Sequence, residues 1–313
     1  MSRSDNVVTP GGDPSVSIIV PTRNSGRTLK ECLESIAKQS IRCEIIVVDN
    51  GSQDDTIQIA QTYCDKLIQG GPERSAQRNM GFSLCSGESI GYIDSDMILE
   101  SKVAEQAHAL LAKGNVAVVV PEYTSGVGYW TSVRAYERSM YLENKSVVEA
   151  ARFFKKSVVE QLGGFNEQLT GGEDWDLEIR ARQIGSVART EAKIEHDEGR
   201  VKFLEACRKK GYYAKGYTRF AREHGIKTLI SITINRPYIK SPRALISKKG
   251  IGLVALKLGE VAAMLTSMSR QLVAEILSEQ ADRWARNSSV HTAWNGALAR
   301  ISESVCNQDR EDT

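Results

Sequence analysis

Histidine is scarce in this chain, with four in 313 residues, and its cysteines follow no motif. The six cysteines, Cys32, Cys43, Cys64, Cys85, Cys207 and Cys306, include no C-x-x-C pair and no His/Cys grouping at zinc-ligand spacing. That excludes a zinc finger and a dithiol redox motif. Several fall on apolar positions of predicted helices, so they read as reduced core thiols, consistent with a cytoplasmic location. Residues 1–14 lack the apolar core of a secretory signal. No run reaches the ~18 uncharged apolar residues a membrane span needs. The greasiest stretch, Ile251 to Met268, is interrupted by Lys257 and Glu260. Internal repeats and low-complexity tracts are also missing, which excludes solenoids and linker arrays.

The composition is that of a globular protein, 41% hydrophobic and 26% charged. The length suffices for one large α/β domain with a helical appendage. Net charge is only +2, but it is unevenly spread. Between Arg200 and Lys249 fourteen Lys/Arg face two acids, Glu205 and Glu223. Such a segment favours an anionic partner: phosphate groups, an acidic membrane surface or nucleic acid. Nucleic acid is set aside, because no helix-turn-helix or RNP pattern accompanies the charge.

Strand and helix signals alternate from residue 16. Val16–Val20 and Ile45–Val48 are β-branched apolar runs, each followed by polar residues. Between them Leu29, Cys32, Leu33 and Ile36 keep helical spacing. Ser52-x-x-Asp55 resembles a capping box opening the next helix. Lys66–Ile68, Ser89–Ile93, Val116–Val120 and Val187–Glu195 read as further strands. Ser101–Lys113, Thr131–Asn144 and Glu173–Gln183 read as helices, and Tyr123–Trp130 as a Gly-rich aromatic loop, a candidate lid or acceptor wall. After residue 225, Val254, Leu258, Val261, Leu265, Met268, Leu272 and Ile276 mark an amphipathic helix. The alternation predicts an α/β fold: a mainly parallel sheet with helices on both faces, plus a C-terminal helical extension. Ligands in such sheets bind beyond the carboxyl ends of the strands. That rule selects Pro21-Thr22-Arg23-Asn24, Asp49-Asn50-Gly51-Ser52 and Asp94-Ser95-Asp96.

Asp94 and Asp96 stand two apart in extended chain, hence on one side. Paired carboxylates repel unless a cation or protons intervene, and hard oxygen ligands suit Mg²⁺ or Mn²⁺. A solvated polar turn is the simpler alternative. Gly171-Gly172-Glu173-Asp174 sets acids at a helix start, where the ionised form is favoured; plain N-capping is the alternative. His196 follows a strand, and Arg74 and Arg78 share a helix face; each also suits a packing or solvated role.

Taken together, Val16 to His196 resembles the glycosyltransferase family 2 catalytic domain, of GT-A fold. The resemblance rests on SIIVPTRN, EIIVVDNGSQDDT, RSAQRNMGFSLCSGESIGYIDSDMIL, FFKKSVVEQLGGFNEQL and GGEDWDLEIRARQIG, in the family's order. It implies an inverting, metal-dependent transfer of a single sugar from a nucleotide-sugar to an acceptor hydroxyl. The acceptor would be a saccharide or a lipid-linked one. Pro21, Thr22, Arg23 and Asn24 would border the nucleotide, and Asp49 would touch its base or ribose, with uridine the first choice. Arg74 or Arg78 would lie near the base or diphosphate. Asp94 and Asp96 match the D-x-D motif that would hold the metal, Asp96 as direct ligand and Asp94 as a second that also shares ribose and water contacts, with Ser95 bordering the donor. Asp174 matches the general base, and His196 a third ligand to Mn²⁺ or Mg²⁺. The Q-x-x-R-W motif of processive relatives is absent.

The resulting division is a tail over 1–14, the catalytic domain over 15–222, a helical region over 223–302 and a tail over 303–313. The helical region would pack, form a homodimer, or dock peripherally on the inner face of an anionic membrane. The rival functions are a nucleotidyltransferase, for which Pro21–Gly26 is a poor phosphate loop, and a non-catalytic sugar- or nucleotide-binding module.

Overall fold

The computed structural model describes residues 14–144 and 149–287. Cys306 and the tails expected over 1–14 and 303–313, Pro14 apart, lie outside these residues. Packing divides the chain into two units, Met1–Leu265 and Thr266–Thr313.

The first unit begins with β1 (Val16–Thr22), α1 (Leu29–Ala37), β2 (Cys43–Asp49), α2 (Thr56–Tyr63), β3 (Lys66–Gln69), α3 (Arg74–Leu84) and β4 (Ser89–Tyr92). Both β1 and β2 are buried along their whole length, as near-continuous β-branched runs in a covered parallel sheet should be. Side chains alternate between two cores. Val16, Ile18 and Val20 meet Leu29, Leu33 and Ile36 on one face, while Ile19 packs with Phe82 and Tyr92 on the other.

Next come β5 (Met97–Leu99), α4 (Val103–Ala112), β6 (Ala117–Val119), β7 (Glu122–Ser125), α5 (Tyr129–Asn144), β8 (Ala151–Lys155), α6 (Lys156–Leu162), α7 (Glu173–Ile184), β9 (Val187–Arg189) and β10 (Ile194–Asp197). The main sheet runs β3-β2-β1-β4-β8-β6-β9. It is parallel except at β8, which is antiparallel to both neighbours. The chain steps outward from β1 to β2 and β3, then returns to place β4 on the other side of β1. That reversal opens a crevice at the carboxyl ends of β1 and β4. A small sheet, β5-β10-β7, stands beside it and sets His196 opposite Met97.

The remaining elements are α8 (Phe203–His224), α9 (Ile226–Ile234), α10 (Pro237–Lys240), a 3₁₀ turn (Pro242–Ile246) and α11 (Lys248–Asn287). A third core joins Val133 and Met140 of α5 to Ala206 of α8 and to Leu253 and Leu256 of α11. In the second unit α11 continues to Asn287, with Val273 and Leu277 exposed.

Four local expectations need correction. The helix after Asn50-Gly51 has no capping box. Ser52 turns back onto Asp49, and Asp54 accepts the backbone N–H of Thr56 instead. The stretch Tyr123–Trp130 is not a free loop: it holds most of β7 and the first turn of α5, and Trp130 packs on Phe203 at 4.8 Å between ring centres. Val187–Glu195 is two strands in two sheets. Finally, Lys248–Arg270 is long and apolar enough, by length and composition, to cross a membrane despite its charges. Its two central charges are spent inward, Lys257 on Glu137 at 2.8 Å and Glu260 on Arg134 at 2.5 Å. Cys32, Cys43, Cys85 and Cys207 are buried free thiols, as expected.

Candidate active site

The loop after β1 turns sharply at Asn24, whose φ of 50° is the single left-handed non-glycine among the described residues. Its side-chain oxygen accepts the N–H of Gln53, and its own N–H donates to Ser52 Oγ. Asp49 is wholly buried; it accepts Thr22 Oγ1 at 3.0 Å, Ser52 N–H at 2.8 Å and Ser52 Oγ at 2.5 Å. The carboxylate thus ties the β1 and β2 loops together, with its hydrogen bonds spent inside the protein. Pro21 is buried inside β1 against Val48, and Arg23 points to solvent. Ser25 Oγ and Ser95 Oγ lie 2.8 Å apart, closing the crevice between the first loop and the D-x-D turn.

The two carboxylates of that turn face different surroundings. Asp94 Oδ1 accepts from Arg78 at 2.8 Å and Oδ2 from Arg152 at 3.3 Å. Burial works against its charge, but the two guanidinium groups hold the carboxyl well below the usual range. Asp96 lies about one-third exposed, and its Oδ2 is 3.2 Å from His196 Nε2. The pairing of His196 with Met97 across β10 and β5 makes this approach possible. His196 Nδ1 is buried without a hydrogen-bond partner and faces Glu122 at 3.8 Å. Burial opposes charge on the ring, yet Asp96 and Glu122 raise it to about 9.

Arg78 organises the centre. It is completely buried, bonds Asp174 Oδ1 at 2.7 Å as well as Asp94, and lies 4.4 Å over the Tyr92 ring. Its guanidinium is taken up by these carboxylates, so of the two arginines expected near the base or diphosphate Arg78 is the buried one. Arg74 does reach the rim: it is partly exposed, pairs with Glu173 at 3.3 Å and covers Tyr213. Asp174 itself stands in the first turn of α7, after Gly172 at φ 85°. The Gly171-Gly172 turn is pressed against α8. A Cβ on Gly216 would lie 2.3 Å from Gly171 N, so only glycine permits that approach.

Asp174 opens into a cavity of about 330 Å³. Trp175, Tyr213, Tyr217, Lys210 and Arg74 line one part of it. Trp175 stacks on Tyr217, ring centres 6.0 Å apart. Sequence reasoning missed Glu122, Arg138 and Arg152. Arg152 bonds Glu122 at 2.8 Å, and Arg138 bonds it at 2.8 Å. Glu122 comes just after the apolar run Val116–Val120, so the strand-end rule applied to that run would have found it. Nothing local singles out the two arginines.

The glycosyl transferase family 2 sequence profile matches residues 17–163. The chain is 27% identical over 190 residues to glycosyltransferase AglE of Haloferax volcanii, covering 55% of this chain and 62% of that one. It is 28% identical over 237 residues to the pre-mycofactocin glycosyltransferase of Mycobacterium tuberculosis, covering 68% of this chain and 49% of that one. It therefore spans less than two thirds of the length of either relative. Among solved structures, mannosyltransferase PcManGT from Pyrobaculum calidifontis, in complex with GDP-Man and Mn²⁺, superposes with a TM-score of 0.54 at 18% identity, over 86% of this chain and 90% of that one. This likeness shows a shared GT-A fold. On the sequence match, residues 17–163 belong to glycosyl transferase family 2.

Proposed function

We propose that this chain is an inverting glycosyltransferase that moves one sugar from a nucleotide-diphosphate sugar to an acceptor hydroxyl. The observation that carries the reading is the pair of carboxylate centres on one buried guanidinium. Arg78 ties Asp174, which lines a cavity of charged and aromatic side chains, to the D-x-D turn at the crevice.

In this reading the donor lies across the carboxyl ends of β1 and β4, bordered by Thr22, Asn24 and Ser95. The acceptor, a saccharide or lipid-linked alcohol, enters the cavity beside Trp175. Asp174 takes the acceptor proton as its oxygen attacks the anomeric carbon, and the bond from that carbon to the diphosphate breaks. General-base assistance of this kind is worth on the order of 10²–10⁴-fold. Asp96 and His196 are the residues that would hold Mn²⁺ or Mg²⁺. Asp96 offers a carboxylate oxygen and His196 one imidazole nitrogen, while the buried Nδ1 facing Glu122 would fix the ring's orientation. The cation would supply Lewis-acid neutralisation of the diphosphate. Asp94, saturated by Arg78 and Arg152, positions the turn rather than binding the metal.

A uridine donor was suggested by contact of Asp49 with the base; its burial removes that ground, and the reading is confined to the nucleotide-sugar class. The catalytic domain is assigned to 15–222 and the helical extension to 223–302, of which 288–302 lie outside the described residues, with a cytoplasmic location. Release of nucleoside diphosphate on adding acceptor, screened across donors with Mn²⁺, tests the reading. Donor binding without release under any acceptor would refute it.

A further inference from the structure

The stretch His224–Gly259 contains no Asp or Glu and seven Lys/Arg. Its charges divide in two. Arg236 and Lys257 turn inward, to Tyr141 Oη at 3.1 Å and Glu137 at 2.8 Å. Lys227, Lys240, Arg243, Lys248 and Lys249 are exposed, and among the described residues none of them is paired with a carboxylate.

Its apolar residues divide the same way. Pro237, Leu253 and Leu256 are buried. By contrast, α9 buries none of its residues, although five of nine are aliphatic. Ile226, Ile230 and Ile234, spaced by four along it, are 59%, 48% and 55% exposed. Ile239, Ile246 and Ile251 continue the exposed series. The segment is nonetheless built onto the body. Tyr136 Oη donates to Ala244 O at 2.8 Å and Tyr129 Oη to Lys248 O at 2.9 Å. A fixed surface of bare isoleucines among unpaired cations needs an occupant that is apolar within and anionic at its face.

We propose that this surface, α9 through the first turns of α11, docks the protein on an anionic lipid bilayer. Isoleucines enter the acyl boundary while the lysines meet lipid phosphates. A second copy of the chain is a poor occupant. In a twofold dimer the patch faces itself, setting cations against cations with no carboxylate in the stretch to answer them. A spanning arrangement of α11 would break the inward ion pairs of Lys257 and Glu260. Docking rests on the surface alone. Its consequence, that the acceptor is membrane-borne rather than a soluble saccharide, rests also on the transferase reading above.

The test is co-sedimentation of the full chain with vesicles of phosphatidylcholine alone and of phosphatidylcholine with phosphatidylglycerol. Binding is expected to the mixed vesicles only, weakening with salt. The triple variant K227Q/K248Q/K249Q should lower partitioning on the order of 10²-fold, and I226S/I230S/I234S should abolish it, both with unchanged circular dichroism. No binding to mixed vesicles at low salt, equal binding by either variant, or a dimer in ultracentrifugation that the serine variant dissolves would overturn the proposal. Nucleoside diphosphate release to a soluble acceptor, measured on the same preparation, separates the two readings. A protein that transfers but ignores vesicles refutes docking alone. One that binds vesicles and never transfers refutes only the transferase reading.

Discussion

Arg78 is the residue whose replacement tests the site most sharply. Its guanidinium spans two carboxylates, Asp94 at 2.8 Å and Asp174 at 2.7 Å, with no solvent access. An ammonium is a single point charge and cannot hold both. Arg78→Lys therefore loses at least one hydrogen bond to a charged group, worth about 1.5–3 kcal/mol. Arg78→Met strands Asp174, leaves Asp94 to Arg152 alone, and should cost roughly 3–5 kcal/mol. For a domain of this size the Met variant should melt on the order of 10 °C lower. The kinetic consequence is separate. With Asp174 no longer held, kcat should fall on the order of 10²-fold in Arg78→Lys, set by the share of catalysis a general base supplies. The donor KM should stay within about twofold, because the buried Arg78 guanidinium is already engaged by Asp94 and Asp174. Steady-state kinetics at saturating acceptor, with melting curves on the same samples, would measure both. A raised donor KM with kcat unchanged would refute the reasoning, since it would mean that Arg78 binds the diphosphate itself.

Three further outcomes are expected. Asp96→Ala should abolish Mn²⁺-dependent donor binding in calorimetry, while Asp174→Asn retains donor affinity and loses turnover; an Asp96→Ala protein with normal affinity in Mn²⁺ would remove Asp96 from the cation site. Burial alone would raise the Glu137 carboxyl, but Lys257, Arg134 and Arg236 outweigh it and hold it at about 2. A depressed carboxylate stabilises the fold above its ordinary value, and that contribution, about 3 kcal/mol, should vanish as pH falls from 4.5 toward 2. Urea titrations across that window should show a slope that is shallower in Glu137→Gln. Gly216→Ala should push α8 from the Gly171-Gly172 turn, costing about 1–3 kcal/mol and lowering kcat more than donor affinity; wild-type stability would show that the two backbones are not in contact.

How far the sequence reaches depends on how local each feature is. The strands β1, β2 and β4, and the polar loops that follow them, could be read from the chain because a buried parallel strand needs an uninterrupted apolar run. The D-x-D and Glu173-Asp174 pairs could be found because they sit at strand and helix ends, where the fold puts chemistry. The capping box failed because Ser52 had a stronger local acceptor in Asp49, a competition that spacing does not reveal. Lys248–Arg270 was misjudged for the opposite reason: its two central charges find partners on α5 and α11, so they do not interrupt the apolar helix as a count of charges suggests.

The sequence by itself determined which groups are candidates for the chemistry, since composition and order place two carboxylate motifs at the ends of predictable elements. Tertiary structure alone decided what each group touches. Arg78 meets Asp174 across 96 residues and Arg152 meets Asp94 across 58. These contacts leave no trace in periodicity, yet they turn Asp94 into an anchor and leave Asp96 open beside His196. The same holds for the extension. Its basic charge was plain in the chain, but only packing shows which cations turn inward and which isoleucines remain bare. Burial is a property of the whole fold, not of any segment.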